Sequence, residues 1–154
     1  MYNTDYRTLL AQLGGLVGSE RDTIANLANA SAAIHMNMEA LNWVGFYLVR
    51  EGQLVLGPFQ GKAACIRIPF GKGVCGTAAL TDTAQLVRDV HEFAGHIACD
   101  ADSASEIVVP LHKDGKVVAV LDIDSPVIGR FSDEDKENLE KCAALLEAAC
   151  DWKI

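Results

Sequence analysis

Hydrophobic residues in this chain first recur at helical spacing. Tyr6, Leu9, Leu10 and Leu13 fall on one side of a helix, and Gly14, Gly15 and Gly18 weaken its end. Ser19 with Asp22 resembles a capping box. After it Ile24, Leu27, Ala28, Ser31, Ile34 and Met38 form a second helical stripe. From Asn42 to Val49 the period shortens to two. Val44, Phe46 and Leu48 point one way, Trp43 and Tyr47 the other. Glu51-Gly52 predicts a hairpin turn into a strand over Gln53–Leu56, and a further strand is expected over Ala63–Ile68. Pro69, Gly71, Gly73 and Gly76 mark a loop and the start of a short helix. Gln85–Arg88 reads as a short strand, followed by a long polar loop to Ser105.

The clearest hairpin runs out over Glu106–His112, turns at Asp114-Gly115 and returns over Val117–Asp124. A last helix begins at Ser132, with Asp133, Glu134 and Asp135 in its electropositive first turn. Its apolar stripe is Leu139, Cys142, Ala143, Leu146, Ala149 and Cys150. Helices, then antiparallel strands, then a helix predict an α+β fold with helices packed on a sheet.

The 154 residues suit one domain, 1–154, with no repeat, low-complexity tract or linker. Half the residues are hydrophobic and 22% are charged, which argues against extensive disorder. Apolar runs are too short for a membrane span, and no signal-like N-terminus is present. The chain reads as soluble and cytoplasmic. A net charge of -8 without a basic cluster excludes the usual nucleic-acid and anionic-membrane partners. Five cysteines, an odd number, argue for free thiols, catalysis or metal rather than a disulfide framework.

Cys142 and Cys150 fit a helical core stripe. Cys99 lies in a polar loop between His96 and Asp100, where a thiolate nucleophile would be accessible. Cys65, on a strand or at its edge, is either a core residue or a resolving thiol. Cys75 sits beside the Gly-rich turn, near a helix N-terminus that would lower its pKa. His91, His96 and Cys99 with Cys65 or Cys75 could supply metal ligands. The paired CxxC pattern is missing, however, and no metal is expected.

Asp122 and Asp124 share one strand face at the end of the apolar run Val117–Leu121. Glu106 opens the partner strand. A two-residue Asp114-Gly115 loop would set Glu106 opposite Ile123, facing away from both aspartates. A three-residue loop over Lys113–Gly115 would set Glu106 opposite Asp122 and create one acidic pocket. The shared pocket therefore predicts the longer loop. Trp43 and Tyr47 are either core or an aromatic wall suited to a small amphipathic cation.

The segments NWVGFYL, LGPFQGKAACIRI, GKGVCGTAA, GHIACDADSASEIVVPL and AVLDIDSP resemble the free methionine-(R)-sulfoxide reductase family, enzymes built on a GAF domain. The resemblance spans about Leu41 to Asp124. It implies a GAF-like central antiparallel sheet of about six strands flanked by helices. It further implies Cys99 as nucleophile, Cys65 as resolving thiol and Cys75 as a third cysteine of less defined role. Trp43, Tyr47, Glu106, Asp122 and Asp124 would bind substrate. The implied activity is reduction of free L-methionine (R)-S-oxide through sulfenic acid and disulfide. No bound cofactor is implied; thioredoxin would be the electron donor, and a second copy of the chain is held open as a partner. The competing reading is a non-catalytic GAF sensor that binds a small effector.

Overall fold

The structure is a computed structural model and describes residues 2–97 and 99–154. Its elements are α1 (Tyr6–Val17), α2 (Thr23–Asn37), β1 (Trp43–Arg50), β2 (Gln53–Gly61), β3 (Arg67–Pro69), α3 (Gly73–Thr81), β4 (Gln85–Val87), β5 (Ser105–Lys113), β6 (Lys116–Ser125) and α4 (Asp133–Ala149). The strands form one six-stranded antiparallel sheet in the order β3-β2-β1-β6-β5-β4. The expected α+β class and strand number both hold. Among the described residues no helix is long and apolar enough to cross a membrane.

Period-two patterning gives the sheet two apolar faces. On one, Val44, Phe46, Leu48, Ile107, Val109, Leu121 and Ile123 meet α1, α2 and α4. On the other, Trp43, Tyr47, Val108 and Val120 pack with Val74, Cys75, Ala78 and Ala79 of α3. Cys142 and Cys150 lie buried in the first core. There burial pushes the Cys142 thiol up to about 12. The second face carries the chemistry.

Local sequence explains most element ends. Ser132 caps α4 through a full capping box with Asp135. For α2 the cap is Asp22 itself, whose side chain accepts from the Ala25 N–H; Ser19 takes no part. The expected α2 stripe is also turned. Ile24 and Ala28 are exposed, whereas Thr23, Asn26, Leu27, Ala30, Ser31, Ala33 and Ile34 are buried. Small side chains at Ala30, Ser31 and Ala33 give α2 a close-packing face, so bulk alone misjudged the rotation. Strand β2 runs on to Gly61, and β3 covers only Arg67–Pro69. Cys65 therefore lies in the β2–β3 connection and not in a strand.

His112 ties three elements together. Its ring contacts Asp82 at the α3 C-cap and Glu147 of α4, the latter at 2.8 Å. Burial alone would lower its pKa, but the two carboxylates outweigh that and raise it. A raised folded-state pKa stabilises the protein fully below the ordinary histidine value of about 6.5. That contribution is lost as pH rises through the raised folded value. Urea unfolding between about pH 5.5 and about pH 9 should therefore lose less stability in His112→Asn than in the parent chain. Partial exposure of all three side chains limits the difference to below about 1 kcal/mol.

Candidate active site

The site is written in cross-strand rows on the α3 face. One row runs Gly61, Trp43, Asp124, Glu106, Val87 across β2, β1, β6, β5 and β4. The next runs Phe59, Gly45, Asp122, Val108, Gln85. Three carboxylates thus sit beside an aromatic wall, and Cys75 of α3 closes over them. Cys75, Glu106 and Asp122 bring a sulfur and two carboxylate oxygens within 4.8 Å of one another.

The register that produces this cluster differs from both expected hairpins. Lys113 pairs with Lys116 around a two-residue Asp114-Gly115 turn, both residues having positive φ (53° and 76°). That is the backbone a tight type I′ hairpin requires. A bulge follows: His112 pairs with Val117, but Leu111 pairs with Ala119. The extra residue shifts the rest of the ladder by one. Glu106 consequently faces Asp124, not Asp122, and all three carboxylates share a face. The predicted three-residue loop and Glu106–Asp122 pairing are therefore wrong. The shared pocket survives because the bulge does the work assigned to the loop.

Trp43 lies flat because Gly45 has no side chain. A Cβ on Gly45 would stand 2.8 Å from Trp43 Cη2 and collide with Phe59 Cβ. Trp43 stacks on Phe59 at 5.1 Å and on Tyr47 at 5.9 Å between centroids. Its indole N–H donates to the Lys62 carbonyl (3.1 Å), and the Tyr47 hydroxyl donates to the Cys65 carbonyl (2.9 Å). The aromatic wall thereby holds the connection that carries Cys65. Burial, then Asp122, pushes the Tyr47 phenol up, so it remains protonated and available as this donor.

Cys65 and Cys99 form a disulfide with Cα atoms 5.6 Å apart. The cavity beside it is lined by Trp43, Tyr47, Cys75, Cys99, Glu106, Asp122 and Asp124, with His96, Asp100 and Ser103. Its volume is about 40 Å³, room for a water or two. Cys65 touches this site through its bond to Cys99.

Two carboxylate oxygens here, Asp122 Oδ1 and Asp124 Oδ1, are buried without a hydrogen-bond partner. Burial pushes Glu106 and Asp124 well above the usual carboxylate range, reinforced by Asp122; Asp122 is raised by burial as well. The cluster therefore retains protons where isolated carboxylates would not. Cys75 is also pushed well up, by burial first and then by Asp122 and Glu106. The expected lowering by a helix N-terminus is overturned: near α3's first turn, burial and three carboxylates outweigh the helix. His96 Nε2 stands 4.0 Å from Glu106 Oε1. Burial, then His91, holds its imidazole below the ordinary value.

Of the metal set considered from sequence, His96, Cys75 and Cys99 line the cavity, and Cys99 is bonded to Cys65. His91 rests on Asp89 at 2.8 Å, away from the cavity lining. Other residues escaped sequence reasoning. Asn42 Nδ2 donates to Asp100 (3.1 Å) and Ser103 Oγ (3.0 Å), and Ser103 donates to Asp124 at 3.4 Å. These bonds tie the Cys99 loop to the rim. Lone polar residues in a polar loop gave no periodic signal, although their closeness to Cys99 was a clue.

Residues 6–150 match the GAF domain family, and the curled sheet with its pocket on the α3 face is that of a GAF domain. The chain is similar to the free methionine-R-sulfoxide reductase of Escherichia coli (50% identical, 96% of this chain and 92% of that protein). It is also similar to Protein YtsP of Bacillus subtilis (55% identical, 94% and 90%). Among solved structures, fRMsr of Staphylococcus aureus in complex with substrate superposes with a TM-score of 0.92 at 51% identity, covering 97% and 98% of the two chains. The chain belongs to the free methionine-R-sulfoxide reductase family of GAF-domain proteins.

Proposed function

We propose that this chain reduces free methionine (R)-sulfoxide to methionine, with Cys99 as nucleophile and Cys65 as resolving thiol. One observation carries this reading: a Cys65–Cys99 disulfide borders a cavity with two buried carboxylates, a half-buried third and an indole wall. A sulfoxide sulfur is electrophilic, but its oxygen leaves only when protonated. Glu106, whose proton is retained well above the usual range, supplies that proton. The Cys99 thiolate attacks sulfur, the substrate's sulfur–oxygen bond breaks as the protonated oxygen passes to the Cys99 sulfur, and methionine departs, leaving Cys99 as the sulfenic acid. Cys65 condenses with it, releasing water and forming the disulfide. A dithiol donor of the thioredoxin class then reduces that bond by exchange.

Binding follows from the same residues. Asp122, whose Oδ1 is buried without a hydrogen-bond partner, is the carboxylate that meets the substrate ammonium. Trp43 packs on the S-methyl group, and Tyr47 closes the wall. Cys75, held protonated, is a neutral neighbour of Asp122 and not an alternative nucleophile. The whole chain, 1–154, acts as one catalytic domain in the cytoplasm. A second copy would find an apolar groove lined by Leu16, Ala32, Ala33 and Met36 between α1 and α2. A non-catalytic sensor does not fit, since effector binding alone gives no use for a disulfide at the pocket.

Separated R and S epimers of free methionine sulfoxide, offered with a thiol reductant, test the reading. Turnover of the R epimer alone is expected; equal turnover of both would reject it. Cys65→Ser should still release about one equivalent of methionine per chain in a single-turnover assay. Its recycling by thioredoxin should fall at least about tenfold, with partial rescue by small thiols. Unimpaired recycling by thioredoxin would remove Cys65 from the cycle.

A further inference from the structure

We infer that Cys75, Glu106 and Asp122 form a binding site for a thiophilic divalent cation, with zinc the best match. One thiol and two carboxylates, from α3, β5 and β6, converge with ligand atoms all within 4.8 Å. They are 4%, 7% and 6% exposed, respectively. Zinc bonds of about 2.0–2.3 Å place tetrahedral ligand atoms roughly 3.3–3.8 Å apart, so the three need draw in by at most about 1.5 Å. A second observation points to a cation, as it does to the substrate ammonium. Asp122 Oδ1 lines this cavity, is buried and has no donor, and Asp124 Oδ1 beside it is in the same condition. A buried carboxylate oxygen with no hydrogen-bond partner is relieved by a positive ion. The cavity has room for a water in the fourth position.

The ion is an occupant of the pocket and not a cofactor. No step of the proposed reduction uses it, and it would take the oxygens offered to the substrate ammonium. On binding, Cys75 releases its proton to solvent and a metal–sulfur bond forms; nothing is oxidised or reduced.

The disulfide form isolates the site. Cys65 and Cys99 are joined, and Cys142 and Cys150 lie in the core across the sheet. Titrating the oxidised, metal-free chain with cobalt(II) should produce a near-ultraviolet thiolate-to-cobalt band, saturating at about one ion per chain and removed by added zinc. Cys75→Ser should lose the band while keeping the parent circular-dichroism spectrum. Asp122→Asn should keep the band but need at least about tenfold more cobalt to reach half-saturation. Absence of the band in the parent chain would overturn the inference without any variant. Persistence of the band in Cys75→Ser would equally overturn it, by placing the metal on Cys142 or Cys150. Because the readout is spectroscopic and needs no turnover, its failure is separate from failure of the reductase reading.

Discussion

Cys99→Ser should abolish reduction of free methionine (R)-sulfoxide, with turnover falling at least about a thousandfold. A hydroxyl in place of a thiol is a far weaker nucleophile toward sulfur and cannot form the sulfenic acid. Folding should be little affected. Cys99 is only partly buried, and its loop stays attached through Asn42 to Asp100 and Ser103 and through Lys62 to Asp102 at 2.8 Å. Losing the Cys65–Cys99 link removes a loop closure spanning 34 residues of sequence, so the melting point should be compared with that of the reduced parent. Circular dichroism and single-turnover methionine release decide the matter together. A folded variant that still releases methionine at the parent rate would hand the nucleophilic role to another thiol. Cys75 is poorly suited, because its buried thiol holds its proton beside three carboxylates.

Much of this site could be read from the chain because strands impose a period of two. Trp43 and Tyr47, four apart, and Asp122 and Asp124, two apart, had to share faces. That they face the same side of the sheet followed from pairing β1 with β6, which sequence order does not reveal. The hairpin shows where reading stops. Asp114-Gly115 specifies a tight turn by backbone chemistry, and the turn forms as such. The bulge sits inside the uniformly apolar run Val117–Leu121, where every register looks equally hydrophobic. Only the cost of sending Glu106 to the opposite core signalled that something must shift, and it did not say where. Gly45 was silent for a related reason. A strand glycine means weakness, a bulge or close approach, and only the indole lying across it distinguishes these. Cys75 was misjudged because helix ends are legible in sequence while the charges of two distant strands are not.

Asp122→Asn should weaken free methionine sulfoxide far more than its N-acetylated form. The parent carboxylate offers a buried oxygen with no protein donor, and an ammonium would supply that missing donor. Replacing a charge-assisted hydrogen bond by a neutral one at a buried site costs on the order of 1.5–3 kcal/mol, roughly tenfold or more in affinity. An N-acetyl substrate has no ammonium, so the same substitution should change its weak binding by less than about threefold. Asp124→Asn should fall in between. Asp124 also accepts from Ser103, so its carboxylate already has a donor within the protein. Glu106→Gln should act on the chemical step instead, lowering kcat with little change in KM, because an amide cannot deliver a proton to the sulfoxide oxygen. The comparison needs purified R epimers, free and N-acetylated, with kcat and KM for each variant. If the parent chain reduces both substrates equally well, ammonium recognition by the carboxylates is wrong. If it discriminates but Asp122→Asn leaves the ratio unchanged, the charge that selects free methionine sulfoxide lies elsewhere in the pocket. Asp100 at the rim is then the next carboxylate to substitute.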